Sequence, residues 1–373
     1  MIELLSPAGD FKCLKAAIQN GANSVYLGTD VFSARAFASN FNLDELEKAI
    51  QYAKIRGVKT HLTLNTLITD TEFESAINVA KKAYEFGIDA IIVQDLGLAM
   101  ELMKLFPDLP IHGSTQMTVH NLNGALELQD LGFKRVVLAR ELSVNEIDYI
   151  CKNTDIQIET FIHGAICISY SGQCLFSSIL GGRSGNRGKC AGPCRLPFEL
   201  LENNKSINSG YLLSTRDLCG LDFIPNLINA GVKSFKIEGR MKSPEYVATV
   251  TRIYRKYIDL ALSGNEYIID ENDKKELLQV FNRGMSSSGH LSNEANRNLV
   301  FKEKPNNMGL FLGKVQKYNP KKGYITVKLN EPIEVGDTVA FEKVDGSYTV
   351  SELMNINMKN IKHTQNRPNC CYW

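Results

Sequence analysis

The strongest constraint in the sequence is a regular alternation of short β-rich runs with longer amphipathic runs. Eight such pairs follow one another up to about residue 262, from "IELLSPAG" with "DFKCLKAAIQNG" to "SFKIEGR" with "PEYVATVTRIYRKYIDLAL". Several amphipathic runs end at a glycine, the residue that best accepts the left-handed position just past a helix. Strands that alternate with helices form parallel sheets with right-handed crossovers. Eight such units predict a TIM-type (β/α)8 barrel over residues 1–262. An open dinucleotide-binding sheet is less favoured, because the first turn, "SPAGD", contains no G-x-G-x-x-G.

The alternation ends near residue 262, and three further segments follow. Residues 263–307 are polar and irregular, which predicts a linker. Residues 308–361 contain short β-rich runs broken by "NPKKG", "EVGD" and "VDGS", which predict a small antiparallel β-barrel. Residues 362–373 show no periodicity, and we expect them to be disordered.

Composition excludes several classes of protein. The formal net charge is +1, so the chain as a whole does not attract nucleic acid, and any polyanion site must be local. No run approaches the roughly 18 apolar residues of a membrane span, and the first residues lack the pattern of a signal peptide. We therefore expect a cytoplasmic protein with no membrane partner.

The carboxyl ends of the predicted strands carry many polar residues, and that rim bears the active site in TIM barrels. The candidates for substrate binding are Asn65, Asp95, Ser114, Gln116, Arg140, Lys236 and Arg240. The catalytic candidates are Glu141 and Glu238, which could transfer protons, and His163, which could orient a ligand or oxygen donor. An Asn, Ser or Gln at such a position can instead cap the next helix, and the charged residues can form ion pairs that only close the barrel.

Four cysteines lie in a glycine-rich insertion, residues 165–215, between the seventh strand and its helix. Cys167, Cys174, Cys190 and Cys194 follow the spacing C-x6-C-x15-C-x3-C. Thiols clustered in a reducing compartment favour metal binding over disulfides. Only the second pair has the spacing of a zinc knuckle, so an iron-sulfur cluster is favoured over zinc. A redox or nucleophilic cysteine and unliganded thiols remain alternatives, and Cys219 is a second candidate for the fourth ligand.

The same insertion is rich in basic residues. Arg183 and Arg187 are candidate contacts for an RNA phosphate, together with Lys189 and Arg195. Their charge could equally compensate a cluster held by four thiolates. The sequence does not distinguish these two roles.

Long segments of the chain resemble one known family. The segments "IETFIHGAICISYSGQCLFSS", "GGRSGNRGKCAGPCRLPFEL", "STRDL" and "SFKIEGRMKSPEYVATV" are similar to the signature of peptidase family U32, and the resemblance extends over about residues 2–262. It implies hydroxylation of an RNA base, in ribosomal RNA or at the tRNA wobble uridine, with a small carboxylate such as prephenate as the hydroxyl source. Among the branches, "GGRSGNRG" with "PCRLP" looks most like the type that hydroxylates ribosomal RNA cytidine. The resemblance also implies a 4Fe-4S cluster on Cys167, Cys174 and Cys190, with Cys194 favoured over Cys219 as the fourth ligand.

Three hypotheses of function follow from these observations. The first is an iron-sulfur enzyme that hydroxylates a nucleobase of rRNA or tRNA held in the barrel mouth, with an electron donor as a further partner. The second is a peptidase that uses Cys167 or Cys174 with His163, although the chain contains neither HExxH nor GxSxG. The third is a non-catalytic module that binds RNA or the ribosome.

Overall fold

The computed structural model describes residues 2–284, 286–292, 298–321, 324–343, 348–352, 357–358 and 371–372. The chain divides into two compact units, Met1–Met308 and Gly309–Trp373. Each unit is described by itself.

The first unit is built from eight parallel strands and the helices between them. In chain order the elements are β1 Glu3–Pro7, α1 Phe11–Gln19, β2 Ser24–Gly28, α2 Leu43–Lys54, β3 Lys59–Leu64, α3 Asp70–Phe86, β4 Ala90–Val93, α4 Leu96–Leu105, β5 Ile111–Gly113, α5 Leu122–Asp130, β6 Arg135–Val137, α6 Val144–Lys152, β7 Gln157–Ala165, α7 Phe176–Gly181, β8 Phe198–Glu202, β9 Lys205–Gly210, β10 Asp217–Cys219, α8 Ile224–Ala230, β11 Ser234–Ile237 and α9 Pro244–Leu262. Strands β1 to β7 pair in sequence, and β11 pairs in parallel with both β1 and β7. This closes the sheet, and the predicted (β/α)8 barrel is confirmed.

Local sequence signals fix the ends of the barrel helices. Asn42, Thr69 and Ser143 begin α2, α3 and α6 as reciprocal capping boxes with the glutamate three residues on. Gly87 ends α3 with φ of 88°, a left-handed conformation that favours glycine. The chain therefore turns back to the next strand within a few residues.

Strand β7 is longer than the other barrel strands and continues beyond the rim. Its first residues pair with β6 and β11, and His163, Gly164 and Ala165 pair antiparallel with β10. Residues 166–216, which contain the four clustered cysteines, lie between these two paired strands, with a short helix α7 and the β8–β9 hairpin. The extension of β7 thus places this segment at the carboxyl-end rim.

The barrel interior contains a layer of charged and polar side chains that neutralise one another. Glu159 is fully buried and pairs with Lys236 at 2.9 Å and with Arg135 at 3.1 Å. Arg135 also pairs with Glu3 at 2.5 Å. His61 packs beside this network, and burial lowers its pKa to about 4, so its ring is neutral near pH 7. Buried charges of this kind are tolerated because each one has a partner.

Residues 263–307 differ from the predicted irregular linker. They contain helix α10, Glu271–Val280, and the short strand β12, Ser286–Ser287, which pairs with β10. Asp270 caps α10, and Asp273 on its first turn accepts a hydrogen bond from Tyr257 of α9 at 2.6 Å. This buried polar contact attaches the segment to the first unit, and hydropathy alone does not reveal it.

The second unit is a set of antiparallel strands. Strands β13 Gly313–Asn319 and β14 Tyr324–Leu329 form a hairpin, and β15 Thr338–Glu342 pairs with β16 Tyr348–Glu352. Strands β17 Asn357–Met358 and β18 Cys371–Tyr372 join the β13–β14 sheet. The part of this unit that the structure describes forms two separate sheets, so closure into a small barrel is not confirmed. The predicted disordered tail, 362–373, lies outside the described residues except for Cys371–Tyr372.

In the described part of the chain, no helix combines the length and apolar character that crossing a bilayer requires.

We predict that Lys236→Met lowers the free energy of unfolding by about 3 kcal/mol, because it leaves the buried carboxylate of Glu159 with one cation fewer. Burial raises the pKa of Glu159, but Lys236 and Arg135 together hold it below its usual range. A carboxyl group with a lowered pKa in the folded state stabilises the fold above its unfolded-state pKa, and this contribution is lost on acidification. The difference in free energy of unfolding between wild type and variant, measured with urea, should therefore be largest near neutral pH and become smaller in acid.

The matched control is Lys152→Met, which removes an exposed ion pair with Asp148 and should cost less than about 1 kcal/mol. The role given to Lys236 would be contradicted if both variants lost the same free energy of unfolding. It would also be contradicted if the difference between wild type and Lys236→Met did not change with pH.

Candidate functional site

The segment 166–216 lies over the rim of the barrel and contacts the loops that follow four of its strands. A Cβ at Gly188 would meet backbone atoms of Ser33 and Ala34, and one at Gly172 would meet the backbone of Gln116. Both glycines have positive φ. The remaining contacts are Arg187 with Glu72 and Ser171 with Glu141. Whatever this segment binds is therefore held against the face on which TIM barrels place their active sites.

The four clustered cysteines have free thiols and influence one another electrostatically. Cys190 is exposed, and Cys167, Cys174 and Cys194 are half-buried. Burial raises the pKa of Cys194, and the thiols of Cys167, Cys190 and Cys174 raise it further, against the opposing effect of Arg195. The segment thus brings the other three thiols within electrostatic reach of Cys194.

The chemistry of this donor set fits an iron-sulfur cluster. The amide N–H of Gly192 donates to Sγ of Cys190 at 3.3 Å, the kind of bond that stabilises a sulfur ligand. A Cβ at Gly185 would lie 3.7 Å from Cβ of Cys190 and 3.6 Å from the carbonyl oxygen of Cys174, so both cysteines border the same glycine. Among the residues that the structure describes, no three His, Cys, Asp or Glu side chains enclose a single metal ion. A four-iron cluster is larger than one ion, and its ligands stand further apart.

Cys219 lies apart from this group. It is on β10 opposite His163, and the hydroxyl of Tyr254 donates to its sulfur at 3.7 Å. Burial raises the pKa of the Cys219 thiol most strongly, and the backbone of Leu221 and the side chain of Tyr254 oppose this rise. This placement favours Cys194 over Cys219 as the fourth ligand.

Glu238, a predicted proton-transfer residue, is held as a carboxylate by arginines at the mouth. Its Oε1 lies 3.1 Å from a terminal nitrogen of Arg35. Burial raises the pKa of Glu238, but Arg35, Arg140 and Arg240 together lower it below its usual value. Glu238 is therefore ionised near neutral pH and can accept hydrogen bonds.

Arg35 was missed by the sequence analysis, although it is central at the mouth. Glu238 raises its pKa most strongly, and the thiol of Cys167 contributes in the same direction. Arg35 thus links the carboxylate to the cysteine segment. Its sequence signal is weak, because it lies in the loop "SARAF" rather than at a strand end.

Arg240, a predicted substrate-binding residue, is buried, and its terminal nitrogens are hydrogen-bonded within the protein. Its terminal nitrogens donate to Thr63 at 2.5 Å and to Ser33 at 2.6 Å. A Cβ at Gly28 would lie 2.5 Å from one of these nitrogens, so the glycine makes room for the guanidinium. Burial lowers the pKa of Arg240 to about 10, and its Nε has no partner among the described residues.

Arg140 is better placed than Lys236 for the substrate binding predicted for both residues. The guanidinium of Arg140 donates to the carbonyl oxygen of Ala165 at 2.6 Å and lies 4.7 Å from the ring centroid of Phe161. Its buried Nε has no hydrogen-bond partner in the described structure. Lys236 instead points into the interior layer and pairs with Glu159.

The polar residues after β3, β4 and β5 form contacts within the rim. Asn65 donates to Ser114 at 3.4 Å, and the side chain of Gln116 donates to the carbonyl oxygen of Asn65 at 3.0 Å. Asp95 caps α4 by accepting from the N–H of Leu98 at 2.9 Å. Asp95 therefore caps a helix, a role that the sequence analysis considered for Asn, Ser and Gln but not for this aspartate.

The two other predicted catalytic residues have different positions. Both carboxylate oxygens of Glu141 accept from the hydroxyl of Ser171 at 3.2 Å, which attaches the cysteine segment to the rim. His163 lies on the outer side of the wall, where its Nδ1 is 3.2 Å from the hydroxyl of Tyr254 on α9. Burial lowers the pKa of His163 to about 3, so its ring is neutral and remains a packing group.

The two predicted phosphate contacts also differ from each other. Arg187 forms a two-nitrogen ion pair with Glu72 and donates to the carbonyl oxygen of Leu67. Arg183 is exposed and lies 5.0 Å from the ring centroid of Phe37, whose side chain is itself 56% exposed. Arg183 is therefore the more available of the two for an external ligand.

Comparison with known proteins identifies the family. The model of peptidase family U32 matches residues 9–300. The chain belongs to peptidase family U32. Among U32 relatives, the 23S rRNA 5-hydroxycytidine synthase of Escherichia coli is 38% identical over 90% of this chain and 52% of its own length, so the chain spans about half of that relative.

Two further U32 relatives carry different names. The tRNA hydroxylation protein P1 of Bacillus subtilis is 32% identical over 91% of this chain and 83% of its own length. The collagenase of Porphyromonas gingivalis is 36% identical over 76% of this chain and 72% of its own length. The U32 assignment is therefore secure, and the names within the family divide between RNA modification and proteolysis.

We predict that Arg187 anchors the cysteine segment of this U32 protein and does not bind RNA. Arg187 holds the pKa of Glu72 at about 2. Arg187→Gln, Glu72→Gln and the double variant should give a coupling energy of about 0.5 kcal/mol in urea unfolding, as is usual for surface pairs. RNA affinity, measured by filter binding, should be the same for Arg187→Gln and Glu72→Gln. A loss of affinity confined to Arg187→Gln would instead assign that side chain to the RNA.

Proposed function

We propose that this U32 protein is an RNA-modifying enzyme that adds a hydroxyl group to a nucleobase of ribosomal or transfer RNA and depends on a 4Fe-4S cluster. The proposed cluster ligands are Cys167, Cys174, Cys190 and Cys194. The carrying observation is that these four free thiols lie together on the segment that covers the carboxyl-end rim. The names of two relatives supply the reaction class. When bound, the cluster would supply electron transfer or polarise an oxygen donor.

The charges at the mouth support a small carboxylate, such as prephenate, as the hydroxyl source. Arg140 and Arg240 each keep a buried Nε–H group without a partner among the described residues. A buried donor without a partner is costly, and a carboxylate or phosphate oxygen would satisfy both groups. Glu238 would accept a proton from the reacting base or orient it, because the arginines keep this carboxylate ionised.

A surface beside the cysteines is suited to hold an unstacked base. Phe37 is exposed in the loop after β2, and the guanidinium of Arg183 lies against its ring. Aromatic rings and arginine planes are the usual platforms for bases of single-stranded RNA. We therefore assign the base-stacking role to Phe37 and a phosphate contact to Arg183.

The peptidase hypothesis has less support from the geometry. A cysteine nucleophile needs a nearby base that activates it. Among the described residues no histidine forms a hydrogen bond to any of the four thiols, and the hydrogen-bond partner of His163 is Tyr254. A metal-independent peptidase therefore lacks its catalytic pair here.

The decisive prediction concerns single Cys→Ser variants of the anaerobically purified chain. Serine at 167, 174, 190 or 194 should remove iron and sulfide, and should abolish the hydroxylated nucleoside in RNA from a deletion strain complemented with the variant. The measurements are iron and sulfide content and mass spectrometry of rRNA and tRNA nucleosides. Cys219→Ser and Cys151→Ser, which alter half-buried cysteines outside the cluster, should retain both.

Three outcomes would overturn the proposal. If the wild-type protein contains no iron and no sulfide, the proposed cluster is refuted. An unchanged nucleoside profile, together with cleavage of denatured collagen that one Cys→Ser variant abolishes, favours the peptidase. RNA binding with a steep salt dependence and no change in base mass favours a non-catalytic module.

A separate prediction tests the stacking surface. Phe37→Ala should weaken binding of a single-stranded RNA substrate by about 1 to 3 kcal/mol, because one base loses its aromatic platform. Val31→Ala, which shortens another exposed apolar side chain of the same loop, should leave affinity unchanged. Fluorescence anisotropy at fixed salt measures both, and equal effects of the two variants would refute the assignment.

A further inference from the structure

A second group of reactive side chains lies beside the mouth, outside every site predicted from the sequence. Its members are Lys242 in the loop after β11, Asp217 at the start of β10, and Arg283 just past α10. Phe281 and Tyr246 form its apolar wall, with their rings 6.4 Å apart in an edge-to-face arrangement. Three separate elements thus converge on one lysine.

Lys242 is held in this group without an acceptor for its protons. Its Nζ lies 2.7 Å from the ring centroid of Phe281 and 5.6 Å from that of Tyr246. Among the described residues its side-chain amine forms no hydrogen bond or ion pair, whereas its backbone N–H donates to Gly239. Burial lowers the pKa of Lys242 to about 7, and Arg283 adds to this effect. Near neutral pH a large fraction of the side chain is therefore the neutral amine, which is the nucleophilic form.

Asp217 provides a carboxyl group that can move protons. It is 4% exposed, and its Oδ1 accepts from Arg283 at 2.9 Å. Its Oδ2 is buried and has no partner in the described structure. Burial raises the pKa of Asp217 in spite of the neighbouring cations. Burial thus favours the protonated, proton-donating form of Asp217 and the neutral form of Lys242.

The charges around the amine select an anionic ligand. Arg283 and Arg195 are the cations that act on Lys242, and Asp217 and Glu238 are the anions. Glu238 is already paired with Arg35, whereas the buried Nε of Arg283 has no partner among the described residues. A ligand with a carboxylate would satisfy this donor, and its apolar part would pack on the ring of Phe281.

We propose that Lys242 is a nucleophilic amine that forms an imine with a 2-oxo acid, with Arg283 binding the carboxylate and Asp217 transferring protons. The Nζ lone pair attacks the carbonyl carbon, and one N–H proton moves from the nitrogen to the former carbonyl oxygen to give a neutral carbinolamine. Loss of this hydroxyl as water, with a second proton supplied by Asp217, leaves the protonated imine. No oxidant or reductant is consumed, and the site needs neither the cluster nor RNA.

The test is reductive trapping on the full chain, with pyruvate as the probe. Pyruvate and cyanoborohydride should attach one reduced pyruvyl group to Lys242, located by peptide mass spectrometry. Lys242→Arg should lose this adduct, whereas Lys12→Arg, which changes an exposed lysine on α1, should retain it. Asp217→Asn should slow trapping by about tenfold or more, because proton transfer is impaired.

Two comparisons make the outcome unambiguous. Acetone, which has the carbonyl group without the carboxylate, should label Lys242 much more slowly than pyruvate. Circular dichroism of Lys242→Arg should match the wild type, so that loss of the adduct is not loss of the fold. Labelling spread over surface lysines, or equal labelling by acetone and pyruvate, would overturn the proposal. A variant that loses RNA hydroxylation but keeps pyruvate trapping, or loses trapping but keeps hydroxylation, shows that this site and the proposed function are independent.

Discussion

The continuation of strand β7 beyond the barrel rim is the feature on which the rest of the site depends. Strand β7 closes the barrel against β6 and β11 as far as His163, and its last three residues, from His163 on, also pair with β10. Residues 166–216 leave and return through these two paired strands. Both ends of the segment are fixed at the rim by backbone hydrogen bonds. Between these ends, the contacts of Arg187 with Glu72 and of Ser171 with Glu141 hold the segment against the rim loops.

Excess positive charge at the mouth is the second organising feature. Arg35, Arg140 and Arg240 surround one carboxylate, Glu238, and keep it ionised in spite of its burial. Arginine is suited to this role because it stays charged where a lysine would lose its proton. Lys242 illustrates the difference, since burial brings its pKa close to neutrality. The mouth can therefore bind anions and also carry a reactive amine.

The sequence predicted the scaffold well because each of its signals is local. Capping boxes at Asn42, Thr69 and Ser143, and a glycine at the end of α3, define the helix boundaries without reference to distant residues. The parallel barrel then follows from the number of repeats. The position of the cysteine segment followed from its place after the seventh strand.

The predicted side-chain roles were less reliable, because they depend on partners far away in the sequence. The pairing of Arg187 with Glu72 joins residues 115 positions apart, and that of Lys236 with Glu159 joins residues 77 apart. The position of His163 follows from a register shift between β7 and β11. Lys236 pairs with Phe161, but the next residue of β11, Ile237, pairs with His163. The extra residue in β7 turns the histidine towards α9, whereas simple alternation would place it inside the barrel.

X-ray absorption spectroscopy at the iron edge of the anaerobically isolated protein tests the central claim most directly. The account predicts that each iron is surrounded by sulfur alone, with neighbouring iron atoms at the short distance of a cubane cluster, and that this signal is lost when any one of the four clustered cysteines is replaced. Iron bound by nitrogen or oxygen, or zinc in its place, would contradict it.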